Sequence, residues 1–395
     1  MTSPSSLAPP AHAIPTPFPP LTEEHEIFRR SVREFVAREL VPHVEEWEEA
    51  SDFPSALFPK LGELGFLGLR HPEDKGGAGV DYWYTVAFAE ELCHSRCAGV
   101  NMGILVQTDV ATPILGELGS DDVVDTFLRP AIAGEKIGAL GITEPGSGSD
   151  VASIRTTARC DGDDYVVNGS KTFITNGSRA DFVTLAARTG GEGPRGISLI
   201  VLPTDVKGFQ VARRLKKVGN HSSDTAELAF DDCRVPRRFL VGEENLGFRY
   251  IMENFQGERL VMALVAVELS RMALADAMEY GVERKVFGRP ITKFQVWRHE
   301  LTDLMTEVEA ARWLTYRACD LFDRGERSVK EVSMAKLFAC ETSIRVVDRV
   351  LQLFGGYGYM DEYPISRLWR DVRLLTIGGG TSEIMKEIIA KQVGL

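Results

Sequence analysis

The chain has 395 residues, with 45 Lys plus Arg against 57 Asp plus Glu and a formal charge of -12 at pH 7. That acidic balance, without any basic block, excludes a phosphate-backbone groove and hence nucleic acid as a partner. The longest apolar run, Leu260 to Val267, falls far below the roughly 20 residues needed to cross a bilayer. The length admits about two or three domains and a large core. The cysteines (Cys93, Cys97, Cys160, Cys233, Cys319, Cys340) form neither a disulfide framework nor a zinc ligand spacing, so reduced thiols and no metal are expected.

Residues 1–20 are rich in Pro, Ser and Ala, carry no Lys, Arg, Asp or Glu, and read as a disordered leader. They have neither the basic and apolar parts of a secretory signal nor the arginines of a transit peptide, so a cytoplasmic protein is expected. A helical domain is expected over 21–136. Thr22 is a plausible N-cap, Glu23 and Glu24 stand in the first turn, and Phe28, Val32, Phe35, Val36 and Leu40 recur at helical spacing up to Pro42. Further helical stretches cover 54–64, 82–93, 103–118 and 121–132, with Gly76, Gly77 and Gly79 in a loop between them.

The pattern changes near Ile137. Segments 165–167, 171–175, 182–186, 197–202 and 226–230 are rich in Val, Ile, Thr and Phe and bounded by turn residues, which predicts strands. Asp161-Gly162 and Asn168-Gly169 read as hairpin turns, so the β-domain, 137–242, is expected to be largely antiparallel. From 243 to 395 helical periodicity returns, over 244–284, 294–323, 328–354 and after Thr381, and long helices with short connections imply a bundle. The fold class is α+β. No G-x-G-x-x-G follows a strand, and no P-loop, H-E-x-x-H or G-x-S-x-G occurs.

Chemistry concentrates in a few stretches. Gly257-Glu258-Arg259 stands before eight apolar residues, and in a helix Glu258, Met262 and Val265 share a face. A carboxyl bordering an apolar surface has a raised pKa and is a candidate general base; an ion pair with Arg259 or a nearby residue is the other reading the residues allow. Gly257 inside a helix points to a close approach to the backbone. The loop from Gly141 to Asp150 offers glycines and hydroxyls to an anionic or heteroaromatic ligand, or serves as a connection. Phe173 and Thr175, two apart in a strand, point to one face that suits a flat ring. Arg284 ends the long helix, where a guanidinium suits a pyrophosphate or the helix dipole. Glycine clusters at 355–358 and 378–380 read as helix caps, with Thr381 an N-cap, or as sites of close ligand approach.

These stretches, in this order, resemble the acyl-CoA dehydrogenase family from about Thr22 to the C-terminus, with signatures at 141–153 and 352–383. The resemblance implies an N-terminal helical domain, a central β-domain and a C-terminal four-helix bundle, assembled as a homotetramer, a dimer of dimers. It implies FAD, with the ring against Leu140, Gly141, Ile142 and Thr143 on one side and Phe173, Ile174 and Thr175 on another. Ser149 would touch flavin and acyl-CoA. Arg284, Phe287, Gln295, Gln352, Gly355, Gly356, Thr381, Ser382 and Glu383 match the remaining FAD contacts, some toward the flavin of a neighbouring subunit. Arg259 and Gly380 would border the acyl-CoA.

The commonest family pattern places a catalytic glutamate where this chain has Gly379. The long-chain and isovaleryl branches carry the base on the long helix instead, in a Glu-Arg-Leu segment matching Glu258-Arg259-Leu260. The resemblance therefore implies α,β-dehydrogenation of a long or branched fatty acyl-CoA to the trans-2-enoyl-CoA. Glu258 would be the base, the Gly379 N–H a donor to the thioester oxygen, and an electron-transferring flavoprotein the electron acceptor. Acyl-CoA oxidation by O2 and a non-catalytic flavin- or CoA-binding homologue are the alternatives.

Overall fold

The computed structural model describes residues 18–395. Most of the expected leader, 1–17, lies outside the described residues. Phe18, its last aromatic residue, packs edge-on against Trp83 at 6.0 Å between ring centroids and tilted against Trp313 at 5.7 Å.

The N-terminal third is helical: α1 (Glu23–Phe35), α2 (Val44–Ala50), α3 (Leu57–Glu63), α4 (Tyr82–Cys93), α5 (Ala98–Leu105), α6 (Pro113–Leu118), α7 (Asp121–Val123) and α8 (Arg129–Ile132). Thr22 caps α1 as its residue type predicts. It accepts from the His25 N–H, and the His25 ring takes the Thr22 N–H at 3.0 Å, so the box is closed by a histidine rather than a Glu or Gln. α4 is buried nearly all round, and its two inward carboxylates, Glu90 and Glu91, are met by Arg29 and Arg33 from α1.

Eight strands follow: β1 (Gly138–Gly141), β2 (Thr157–Asp161), β3 (Asp164–Thr175), β4 (Phe182–Arg188), β5 (Ile197–Pro203), β6 (Phe209–Arg214), β7 (Thr225–Pro236) and β8 (Leu240–Val241). They form one sheet in the order β6-β7-β3-β2-β4-β5-β8, with β1 alongside β4. Pairing is antiparallel except for β1 with β4 and the single β2–β4 pair. Asp161 faces Asp164 across the β2–β3 hairpin, and Gly162 supplies φ +65° at the turn.

Asn168-Gly169, by contrast, is no turn. It lies inside β3 at a break in the register with β7, between Val167 and Gly169. The glycine is needed there because it has φ +146° and an added Cβ would lie 2.5 Å from Oγ1 of Thr156. An Asn-Gly pair signals positive φ; it does not tell a hairpin from a bulge.

The C-terminal part is built on α9 (Gly247–Glu283), α10 (Gln295–Asp323), α11 (Val329–Phe354) and α13 (Ser382–Val393), with a short α12 (Pro364–Asp371) that the periodicity did not predict. A small hairpin, β9 (Lys285–Val286) with β10 (Arg289–Pro290), joins α9 to α10. α11 packs against α9, α10 and α13, and both α9 and α10 reach α4, so these two helices join the helical parts. The core accordingly divides into two clusters. One runs from α1 through α9 to Leu375, and the other joins the sheet to residues 114–132 and the start of α9. Among the described residues no helix is long and apolar enough to cross a membrane.

Candidate active site

On α9, Glu258 and Met262 stand one turn apart and face the glycine run 378–380. A Cβ added to Gly379 would lie 2.8 Å from Met262 Sδ and 3.4 Å from Glu258 Oε1. Gly379 has φ +62° and Gly380 φ +104°, so both glycines also meet a backbone need. Glu258 is half-buried as a whole, yet its Oε2 is sealed from solvent and has no hydrogen-bond partner among the described residues. Burial raises its carboxyl to about 7, while Arg259 and Lys336 pull the other way.

The ion-pair alternative for Glu258 is not what the fold adopts. Arg259 forms no salt bridge with Glu258 among the described residues and instead donates from Nε to the Gly379 carbonyl at 3.0 Å. Nor does packing within the chain require Gly257. A Cβ there would make ordinary contacts, 3.5 Å to Arg70 Nη1 and 3.8 Å to Phe322 Cζ.

A second cluster is assembled around the end of β1. Lys171, fully buried, donates to the Ile142 carbonyl at 2.9 Å and to Glu144 Oε1 at 2.8 Å. Next to it the Thr172 N–H donates to the Thr143 carbonyl at 2.9 Å. These bonds join Leu140–Thr143 to Phe173–Thr175 across the sheet. Glu144 also accepts from the Arg155 and Thr156 N–H groups, which closes the loop carrying the exposed Ser149. Burial holds the Lys171 ammonium down to about 8. It would raise Glu144 as well, but Lys171 and the hydrogen bonds from Thr156 and Arg155 together outweigh it, so that carboxyl stays below its ordinary value.

Simple strand alternation does not place Phe173. The register with β7 breaks between Lys171 and Ile174, and Phe173 has φ +62°. The bulge turns its ring outward, 68% exposed, while Ile174 is buried and Thr175 half-buried.

A third cluster lies at the far end of α9. Arg284, Gly355 and Gly356 line a cleft of about 420 Å³ with Tyr280, Phe354 and Tyr357, and the Arg284 guanidinium stands 5.6 Å over the Tyr357 ring. Phe287, on the β9–β10 turn, is 96% exposed, and Gln295 and Gln352 are exposed beside this region in sequence. The 26 positions from Glu258 to Arg284 (284 minus 258) span roughly 39 Å of helix, so this cleft is remote from the base of the same chain.

Thr381 is the α13 N-cap, its Oγ1 accepting the Ile384 N–H at 3.3 Å; Ser382 Oγ donates to Glu341 at 2.5 Å, and Glu383 is exposed. The residues sequence reasoning missed are Lys171 and Lys336, the latter donating to the Gly380 carbonyl at 2.6 Å. Each is a lone lysine among inward positions. Lys336 stands four residues after Val332 and four before Cys340, both buried, and that spacing carried the signal.

The donor set suits a flavin dinucleotide. Phe173 presents an apolar ring beside a hydrogen-bonded loop, and a guanidinium and glycine amides line a cleft at the other end. Three models of the acyl-CoA dehydrogenase family, its N-terminal, middle and C-terminal domains, match residues 22–135, 139–233 and 245–394. The long-chain specific acyl-CoA dehydrogenase of Sus scrofa mitochondria is 40% identical over 94% of this chain and 87% of its own. A probable acyl-CoA dehydrogenase structure from Mycobacterium abscessus superposes with a TM-score of 0.92 at 45% identity, covering 94% of this chain and 99% of the other. A glutaryl-CoA dehydrogenase from Mycobacterium smegmatis in complex with FADH2 does so at 0.88 and 29%, covering 94% and 95%. The chain belongs to the acyl-CoA dehydrogenase family, FAD-dependent oxidoreductases acting on a CH–CH bond.

Proposed function

We propose that this enzyme dehydrogenates a long or branched fatty acyl-CoA at the α,β bond, giving the trans-2-enoyl-CoA, with Glu258 as the base that takes the α-proton. The observation that carries the reading is the enclosed Glu258 carboxyl, whose Oε2 has no hydrogen-bond partner among the described residues and whose Oε1 faces Gly379. A carboxyl brought by burial to about 7 is poised to accept a proton near neutral pH. When bound, FAD supplies the acceptor for the hydride that leaves the β-carbon.

The residues of the chain do the rest. The Gly379 N–H is offered to the thioester oxygen, where negative charge develops as the α-proton leaves. Arg259 fixes the carbonyl of the same glycine, so the donor is oriented before substrate arrives. Met262, one turn from Glu258, shares with it the space over Gly379. Leu140, Gly141, Ile142, Thr143, Phe173, Ile174 and Thr175 hold the ring, with Ser149 reaching both ring and acyl-CoA and Gly380 beside the substrate. Arg284, Phe287, Gln295, Gln352, Gly355 and Gly356, with Thr381, Ser382 and Glu383, form the remainder of the FAD site. The remoteness of Arg284 from Glu258 on a single chain supports a homotetramer whose dimers share flavin sites. An electron-transferring flavoprotein is the proposed acceptor.

Anaerobic mixing of the flavin-loaded enzyme with acyl-CoA esters of graded length and branching tests the reading. Long or branched esters should bleach the flavin band within a turnover time, and Glu258→Gln should not bleach with any of them. Bleaching of Glu258→Gln at the wild-type rate would show that the base lies elsewhere.

A further inference from the structure

Lys336 is 1% exposed on α11, about four turns before Gln352, and has no part in the proposed chemistry so far. An ammonium is buried at a cost unless it is paired or hydrogen-bonded. No carboxylate salt-bridges it among the described residues; its recorded partner is the Gly380 carbonyl, at 2.6 Å. Arg259, from α9, grips the preceding carbonyl, that of Gly379, at 3.0 Å. Two cations from two helices thus hold consecutive carbonyls of one turn. That turn is made of glycines at φ +62° and +104°, which without side chains have little else to fix them.

The arrangement has a second consequence. The charged groups facing Glu258 are Arg259 on its own helix and Lys336 from α11, while Lys336 is faced in turn by Glu258 and Arg259 and by Cys340 and Glu341 on its own helix. Glu341 is tied to the start of α13 through the Ser382 hydroxyl. The ammonium therefore sits where it both shapes the donor turn and bears on the base across it.

Building on the reading of Glu258 as base, we propose that Lys336 is a positioning residue for the reaction: it clamps the Gly380 carbonyl so that the 379–380 turn keeps its geometry, and it supplies positive charge opposite the base. Loss of the clamp leaves Gly379 mobile, which lowers turnover more than substrate affinity. Loss of the charge makes the base harder to ionise.

Kinetics of three flavin-loaded variants against pH separate these roles. Lys336→Met should lower kcat by about tenfold or more, because small displacements of reacting groups have effects of that size. Its KM should stay within about twofold of wild type. The acid limb of its kcat profile should move up by about one pH unit, as removal of a nearby opposite charge requires. Lys336→Arg keeps the charge and should hold the limb at its wild-type position while losing part of kcat. Lys336→Gln keeps a donor without the charge and should shift the limb with a smaller fall in kcat; these two carry the test if the Met variant does not accumulate with flavin. Wild-type profiles in the charge-neutral variants, with Glu258→Gln inactive, would overturn the role of Lys336 and leave the base intact. Full turnover by Glu258→Gln would instead remove the base and this inference with it.

Discussion

Glu258 and Gly379 share one small space: a β-carbon on the glycine would stand 3.4 Å from Glu258 Oε1 and 2.8 Å from Met262 Sδ. The vacancy at 379 and the carboxylate on α9 are therefore complementary. Gly379→Ala should be costly for two reasons, since φ +62° strains an L-residue by about 1–3 kcal/mol and the methyl displaces Met262 toward the base. Turnover should fall by about tenfold or more while the far-UV spectrum is unchanged. A fully active alanine variant would show that the base does not depend on this vacancy.

The same carboxyl makes stability depend on pH. Its folded value, about 7, lies above its ordinary 4.5, so the folded state holds a proton that the unfolded chain releases. That contribution is complete below 4.5 and is lost as pH rises through 7, up to about 3 kcal/mol. Glu258→Gln has no such proton to lose. Thermal midpoints of variant and wild type should thus be similar near pH 4.5 and diverge by pH 8, the variant being the more stable; parallel curves would contradict the raised value.

Lys171 and Glu144 hold together the two stretches assigned to the flavin ring. Lys171→Met leaves the buried Glu144 carboxylate without its counter-ion, held by the Arg155 and Thr156 N–H groups, and should cost about 3 kcal/mol. Adding Glu144→Gln should recover much of that loss, which a double-mutant cycle of unfolding free energies would measure. Flavin release should be faster in the single variant than in wild type.

Arg284→Met should weaken flavin retention by about tenfold, the value of one charged hydrogen bond to phosphate. Because Arg284 is remote from Glu258 on the same chain, mixing Arg284→Met with Glu258→Gln subunits is informative. If flavin sites are shared, the mixed oligomer should contain sites that lack both groups and sites that lack neither, and so regain turnover per site. Turnover no higher in the mixed oligomer than the average of the two parent variants would argue for sites made within one chain.

Much of this was legible in the sequence because the long elements are periodic. Thr22, the bundle helices and the Asp161-Gly162 hairpin follow from capping, 3.6-residue spacing and turn chemistry. Gly169 and Phe173 were not legible, because a bulge interrupts β3 twice and local residue types signal positive φ without saying what surrounds it. α12 escaped because its eight residues are too few to establish a period. Buried cations escaped for a different reason. Lys171 and Lys336 bond backbone carbonyls distant in sequence, Ile142 and Gly380, and no local pattern encodes such a partner. Glu258 stood out in the sequence, but that Arg259 would serve the turn rather than the carboxylate required the fold.

The central claim is that Glu258 removes the α-proton. Incubation of the flavin-loaded enzyme in D2O with a bound acyl-CoA whose β-carbon cannot give up hydride isolates that step, and deuterium at the α-carbon is read by mass spectrometry. Wild type should incorporate the label, and Glu258→Gln should lose the exchange by about a thousandfold or more. Exchange at the wild-type rate in the Gln variant would contradict the account.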